Sequence, residues 1–427
     1  MYPSNIISVT AMQSTTDQNH PSVQVTVTTA NGSVGISSVY ETFSTSSYKP
    51  RFLYDQTEQY HGFGVTTAAA IINNIIGPAL VGIPADKQGT VDDTIRSVMK
   101  KAGLPPYVNI SSPVSVASLK AGAATMGIPL YRHIGGQGAF TLPVGGYNAA
   151  SGGKRYNAQS ISQGRPVYNL VSYGYPTFAD AHYALWETAN AYEGLLAKKY
   201  SIRVHRYFTM AIPMGKLDND EKLWDILAEG IKIAGHEDKI GIHVDVGANE
   251  YYDREKDLYD GLFSNVKKDR KDLLNLYKKM TTDYPFVMIQ DPFHQDDLEG
   301  HAALVESTGV QIIGYDLFGT DVERIKMCIN EGCINSVLLP VCSFCTVSDA
   351  IEVVRYAKNH GIDVMPQNLS GEGSDVASYA VGFKAGSIYQ SGIDTASNIL
   401  IILEQEIGPR AKFHGISGLQ GAKFSPV

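Results

Sequence analysis

The sequence predicts an α/β protein in two parts: a smaller α+β domain over residues 1–139, then a β/α barrel over residues 140–427. Three observations carry this. The chain has 427 residues, and at roughly 150 residues per domain it is too long for one ordinary unit. An alternating strand, a turn and a returning strand come early and are followed by helical stretches, the order of a small α+β domain. From about Phe140, short apolar runs recur, each followed by a longer amphipathic segment, the rhythm of buried strands and their covering helices.

Taken in order, the polar segment Met1–His20 is expected to fray, as chain ends do unless something ties them down. Ser22–Thr29 (SVQVTVTT) alternates apolar and polar residues, the pattern of a half-buried antiparallel strand. Asn31-Gly32 makes the hairpin turn and Val34–Tyr40 returns, because both residues tolerate the left-handed backbone such turns need. Helices are expected over Thr66–Ile76, Asp92–Ala102 and Ser115–Met126, with Asp92 and Ser115 as helix starts. The barrel strands are IHVDV (Ile242–Val246), FVMIQ (Phe286–Gln290), VQIIG (Val310–Gly314), SVLLP (Ser336–Pro340) and IDVMP (Ile362–Pro366). Segments such as Asp321–Asn330 and Val347–Asn359 have the length of crossover helices. Repetition of this unit favours a closed barrel over an open sheet, and such barrels act at the C-terminal ends of their strands. The residues there are Asn148, Tyr168, Phe208, Asp245, Gln290, Tyr315, Pro340 and Gln367-Asn368. One carboxylate among amides, aromatics and a proline is an odd set for catalysis.

Composition narrows the function. Hydrophobic residues make up 44% and charged residues 18%, against roughly 25% charged in soluble domains, which excludes the highly charged composition of disorder. A net charge of −8 argues against a nucleic-acid partner, whose phosphates call for a basic surface. No apolar run approaches the roughly 18 to 20 residues of a membrane span, and the N-terminus lacks the basic and apolar regions of a secretory signal. The chain reads as cytoplasmic or cytoskeleton-associated, not secreted. Cys328, Cys333, Cys342 and Cys345 have a spacing unlike a zinc site and read as small buried hydrophobes. The Lys/Asp-rich stretch Asp253–Lys279 reads as a helical, solvated face that could serve for docking.

Longer segments resemble the enolase family. Tyr60–Leu80 (YHGFGVTTAAAIINNIIGPAL) is similar to the family's YxGKGVxxAVxxIN…PAL, with Phe63 where a lysine is usual. Lys120–Ile134, Val244–Tyr252 (VDVGANEYY, against DVAASEFY), Leu276–Asp297 (into IQDPFHQDD, against IEDPFDQDD) and Glu404–Gly415 extend the likeness along nearly the whole chain. The resemblance implies an eight-stranded barrel capped by the N-terminal domain, and a homo- or hetero-dimer. It also implies the family's reaction, magnesium-dependent conversion of 2-phosphoglycerate to phosphoenolpyruvate with a lysine as base.

Carried over residue by residue, that chemistry fails. Of the family's three metal-binding carboxylates Asp245 remains, while Gln290 and Tyr315 stand at the other two positions. Asp291 and Asp316 are adjacent, but neighbours on an extended backbone point to opposite faces, so they are expected to be poor substitutes. Pro340 falls at the lysine base, and Asn368 and Leu369 at the substrate-contacting His and Arg, with Ser370-Gly371-Glu372 retained. The second lysine falls at Tyr389 or Gln390, the glutamate pair near Tyr168 and Phe208, and the active-site histidine near Arg155. In the lid, Ser44, Thr45 and Tyr48 fit the family's pattern, and Lys49 replaces its glutamate. Loss of a general base alone costs about 10² to 10⁴ in rate. The expected protein is therefore a pseudo-enolase with no cofactor, serving as a scaffold subunit, for instance of a cytoskeletal or flagellar assembly. The alternatives are a working phosphopyruvate hydratase that keeps magnesium, and a sensor holding a phosphorylated metabolite through Arg155 and Ser370.

Overall fold

The computed structural model describes residues 2–16, 19–42, 44–151, 164–202, 216–389 and 395–419. The N-terminal part begins with a three-stranded antiparallel sheet of β1 (Ile6–Thr15), β2 (Pro21–Thr29) and β3 (Val34–Val39). Val23, Val25 and Val27 point inward and are fully buried, as the alternation predicts. Gly32, at a φ of +85°, turns the chain into β3. The N-terminal segment does not fray, because Ile6–Thr15 pairs along β2 and is tied down by its ladder. Its pattern hides it: the register shifts between Ile6 and Ser8, and Ile7 and Met12 are exposed.

Helix α1 (Gln88–Lys101) packs against α2 (Val108–Met126), which covers the inner face of the sheet. The helix expected from Thr66 is α-helical to Ile71, widens to a π turn over Ile72–Ile76 and ends at Leu80. Asp92 and Ser115 do not start their helices; both lie inside longer ones and are fully buried. They serve the other domain. Asp92 accepts from Ser115 Oγ (2.6 Å), Ser348 N (2.9 Å) and Ser348 Oγ (2.6 Å), and Ser115 Oγ accepts from Val347 N (2.9 Å). A carboxylate and a hydroxyl from one domain thus satisfy one orphan N–H group each at the start of a barrel helix, where negative charge is favoured.

The barrel sheet runs through β4 (Gly145–Ala150), β5 (Val167–Ser172), β6 (Ile240–Asp245), β7 (Phe286–Gln290), β8 (Gln311–Gly314), β9 (Ser336–Leu339) and β10 (Asp363–Pro366). The segment Gly386–Tyr389 closes it: Val144 N donates to Gly386 O (2.7 Å), Ile388 N to Val144 O (2.9 Å) and Tyr389 N to Pro366 O (3.0 Å). The apolar runs read from the sequence are these strands. One feature departs from the parallel expectation, since β5 is antiparallel to both β4 and β6.

Outward-facing Ile240, Ile242 and Val244 pack under the covering helices with Trp224 and Leu227, while Val144, Val171, Met288, Ile313, Leu338 and Met365 fill the lumen. Val322–Asn330 and Val347–Asn359 are helices as expected, capped by Asp321 and Thr346. The four cysteines are free thiols, with Cys328, Cys333 and Cys342 buried, and no group of His, Cys, Asp and Glu suited to a metal occurs among the described residues. The Asp253–Lys279 stretch is not one helix. It opens with a short hairpin pairing Tyr252–Asp253 with Leu258–Tyr259, and only Arg270–Asp283 is helical. Among the described residues no helix is long and apolar enough to cross a membrane.

Candidate functional site

The C-terminal strand ends bring together Asp245 on β6, Gln290 on β7 and Tyr315 just past β8, all within 4% of complete burial. Gln290 pairs in register with Asp245. Neither polar atom of its side chain has a hydrogen-bond partner among the described residues. Tyr315 lies in the lumen layer and its hydroxyl meets Thr42 Oγ1 at 2.5 Å. Tyr389 closes the same layer from below, edge-on to His243 with ring centroids 5.3 Å apart. His243 is buried and neutral, its pKa lowered by desolvation to about 3. Among Asn169, His243, Met288, Met365 and Tyr389 no space remains for a water-sized sphere.

Tyr168 is not part of this site. On β5 it points outward, donating to Asp220 Oδ2 (2.7 Å) and accepting from Trp224 Nε1 (2.9 Å) beneath the helical layer. Strand alternation is the reason: Val167, one residue earlier, is the residue paired with Asp245. Arg155, Phe208 and Gln390 lie outside the described residues.

The central group is one the sequence did not single out. Arg165, 6% exposed, enters the site just before β5. Its Nε lies 3.2 Å from Asp245 Oδ2, its Nη1 bonds Asp316 Oδ2, and the same Nη1 is 4.0 Å from Glu250 Oε1. Tyr251 Oη donates to the Arg165 carbonyl at 2.6 Å and fixes the backbone. Gly247 supplies the room: at φ +55°, a Cβ there would sit 2.1 Å from Arg165 Cδ. A glycine in place of the family's DVA alanine was the available signal.

Asp291 and Asp316 were expected to diverge, yet both reach the cluster. They lie beyond the regular strands, and Asp291 has a φ of +46°, so strand alternation does not govern them. Asp291 Oδ1 accepts from Tyr315 N at 2.8 Å. Burial, followed by the Asp316 charge, raises the Asp291 pKa to about 7. Burial raises that of Asp245 to about 6 even with Arg165 opposing it. Burial also works against the charge of Arg165, but Asp245, Asp316, Asp291 and Glu250 more than offset it.

The loop Ser44–Lys49 is docked on this cluster. Ser44 Oγ and Thr45 Oγ1 donate to the two oxygens of Asp316, each at 2.7 Å. Ser47 N donates to Gln295 Oε1 (2.9 Å), Tyr48 Oη to Asp296 Oδ1 (2.9 Å), and the Arg324 guanidinium lies 3.7 Å from the Tyr48 ring centroid. Lys49 pairs with Glu41 at 2.9 Å.

Across the mouth, buried Pro340 begins a turn into Val341–Ser343. The Ser370 hydroxyl is bonded to Ser343 Oγ at 2.6 Å, and Asn368 Oδ1 accepts from Gly373 N at 3.0 Å. Glu372 accepts from the N–H groups of Cys342 (2.7 Å), Leu369 (2.8 Å) and Ser370 (2.9 Å). The retained Ser-Gly-Glu therefore staples two loops together.

A magnesium ion fits this donor set poorly. Hard divalent cations take charged oxygen ligands in near-octahedral array, whereas the three aligned positions offer one carboxylate, one amide and one phenol. The carboxylates of Asp245 and Asp316 already face a guanidinium.

A β/α barrel with one antiparallel strand, capped by a small α+β domain whose loop closes over carboxylates at the strand ends, defines the class. The family description "Enolase, N-terminal domain" matches residues 6–134, and "Enolase, C-terminal TIM barrel domain" matches residues 139–421. The chain is 33% identical over 418 residues to "Enolase" of Methanococcus maripaludis strain C7, covering 94% of this chain and 96% of that protein. It is 32% identical over 425 residues to "Enolase" of Methanopyrus kandleri (96% and 97% covered) and 32% over 439 residues to that of Thermococcus kodakarensis (99% and 98%). The chain belongs to the enolase family.

Proposed function

We propose that this enolase-family chain does not carry out the family's magnesium-dependent dehydration of 2-phosphoglycerate. The observation that carries the reading is Pro340 at the position that the resemblance gives to the lysine base. Proline cannot take up a proton, and the adjoining Asn368, Leu369 and Tyr389 supply no base working near neutral pH. Losing a base removes about 10² to 10⁴ in rate, and losing the metal clamp removes several kcal/mol more of transition-state stabilisation.

A second reading has an observation of its own. The relatives are named Enolase and align over nearly their full length, which favours phosphopyruvate hydratase, with magnesium and a dimer as in the family. The same names give a scaffold, cytoskeletal or flagellar role no support. The sensor reading loses one of its two residues, because Ser370 is engaged with Ser343. Purified protein incubated with 2-phosphoglycerate, with and without magnesium, decides the matter by the absorbance of phosphoenolpyruvate. The proposal expects none above buffer. Magnesium-dependent turnover overturns it in favour of the hydratase.

A further inference from the structure

We propose that the Arg165 guanidinium is a built-in counter-ion that pairs Asp245 and Asp316 in place of a divalent cation and thereby holds the lid shut. This goes beyond the preceding reading, since a chain can lose its base and still bind a metal.

Charge, space and anchoring all support it. The guanidinium faces Asp245 at 3.2 Å, bonds Asp316 and approaches Glu250 at 4.0 Å. A divalent cation bound to Asp245 would stand beside a fixed positive charge in a buried site, where like charges repel strongly. The space is specific to this side chain, because any residue but glycine at 247 would collide with the arginine stem. Tyr251 pins the Arg165 carbonyl, so the side chain is delivered from a fixed point. Asp316 then works in two directions: one oxygen takes Ser44 Oγ and Thr45 N, the other takes Arg165 and Thr45 Oγ1. Neutralising Asp316 from within the barrel is what lets it anchor the loop above.

The test uses the full chain and two readouts besides activity. Thermal melting is recorded for the natural protein and for Arg165→Met, each with EDTA and with millimolar magnesium, and amide exchange is followed over Ser44–Tyr48. The natural protein is expected to melt within about 1 °C under both conditions, since a ligand that binds only the folded state raises its melting temperature. Arg165→Met is expected to melt several degrees lower, and its loop amides to exchange at least about tenfold faster as local opening becomes easier. Should that variant not fold, Arg165→Lys retains the charge and is expected to keep the loop protected. A magnesium-induced rise in the natural protein that disappears in Asp245→Asn overturns the proposal, as does unchanged loop exchange in a folded Arg165→Met. The two readings fail separately. Lyase turnover without a magnesium shift overturns the functional proposal alone, and a magnesium shift without turnover overturns this one alone.

Discussion

Gly247→Ala is the sharpest single perturbation of the site, because it changes no charge and adds one methyl group. That methyl would stand 2.1 Å from Arg165 Cδ, well inside the roughly 3.5–4.0 Å at which carbon atoms attract. The arginine stem must move by more than an ångström, which breaks its 3.2 Å pairing with Asp245. Disrupting a buried ion pair costs about 3–5 kcal/mol. Placing alanine at a φ of +55° adds about 1–2 kcal/mol. The expected loss is about 4–7 kcal/mol, out of a total that rarely exceeds about 15 kcal/mol, and corresponds to a drop of roughly 4–8 °C in Tm for a chain of this length. Urea unfolding of the single variants and of Gly247→Ala with Arg165→Ala forms the assay. In the Arg165→Ala background the alanine should cost only the backbone strain, about 1–2 kcal/mol, because the clashing Cδ has gone. An equal cost in both backgrounds refutes the reasoning, as does a loss below about 1 kcal/mol in the natural background.

Other consequences can be measured in the same way. Asp92→Ala removes the carboxylate that caps the Val347–Asn359 helix from across the domain boundary; unfolding should show a loss of about 2–4 kcal/mol, and a limited-proteolysis pattern identical to the natural protein's would count against an interdomain role. Asp245 and Asp291 have folded-state pKa values raised to about 6 and about 7, so the native state holds protons that the unfolded chain has already released above pH 4 or so. Their contribution is fully present in acid and lost as pH rises through 6 to 7; the urea midpoint should fall between pH 5 and pH 8 by more in the natural protein than in Asp291→Asn, and a rising midpoint contradicts the assignment. Glu372→Gln turns one acceptor oxygen into a donor facing backbone N–H groups; a cost of about 1–3 kcal/mol is expected, and a variant of unchanged stability would show that the staple is idle.

The barrel strands were legible because a strand buried on both faces leaves a near-continuous apolar run, as in FVMIQ and SVLLP. β1 was not, since IISVTAMQST carries a register shift and exposes Ile7 and Met12. At the site, resemblance found Asp245, Gln290, Tyr315 and Pro340 by position, but alignment could not fix a face, and Tyr168 fell one residue off the lumen. Arg165 was hidden for a different reason. It lies in a stretch without a clear counterpart, and its role arises from where the chain places it, beside four carboxylates drawn from three strand ends. Asp92 looked like a helix start because the donors it serves, at Ser348, are remote in sequence.

The sharing of Asp316 between Arg165 and the lid has a consequence for how this protein can change over generations. Replacing Arg165 first would strand buried carboxylates without a partner. Placing a carboxylate at Tyr315 first would add negative charge beside Asp291, whose pKa burial and the Asp316 charge already raise to about 7. Refilling Gly247 first would drive the arginine from its seat. Each single step toward a metal-binding centre is therefore expected to cost stability. Arg165, Gly247 and Asp316 are thus expected to tolerate change together and to resist it one at a time.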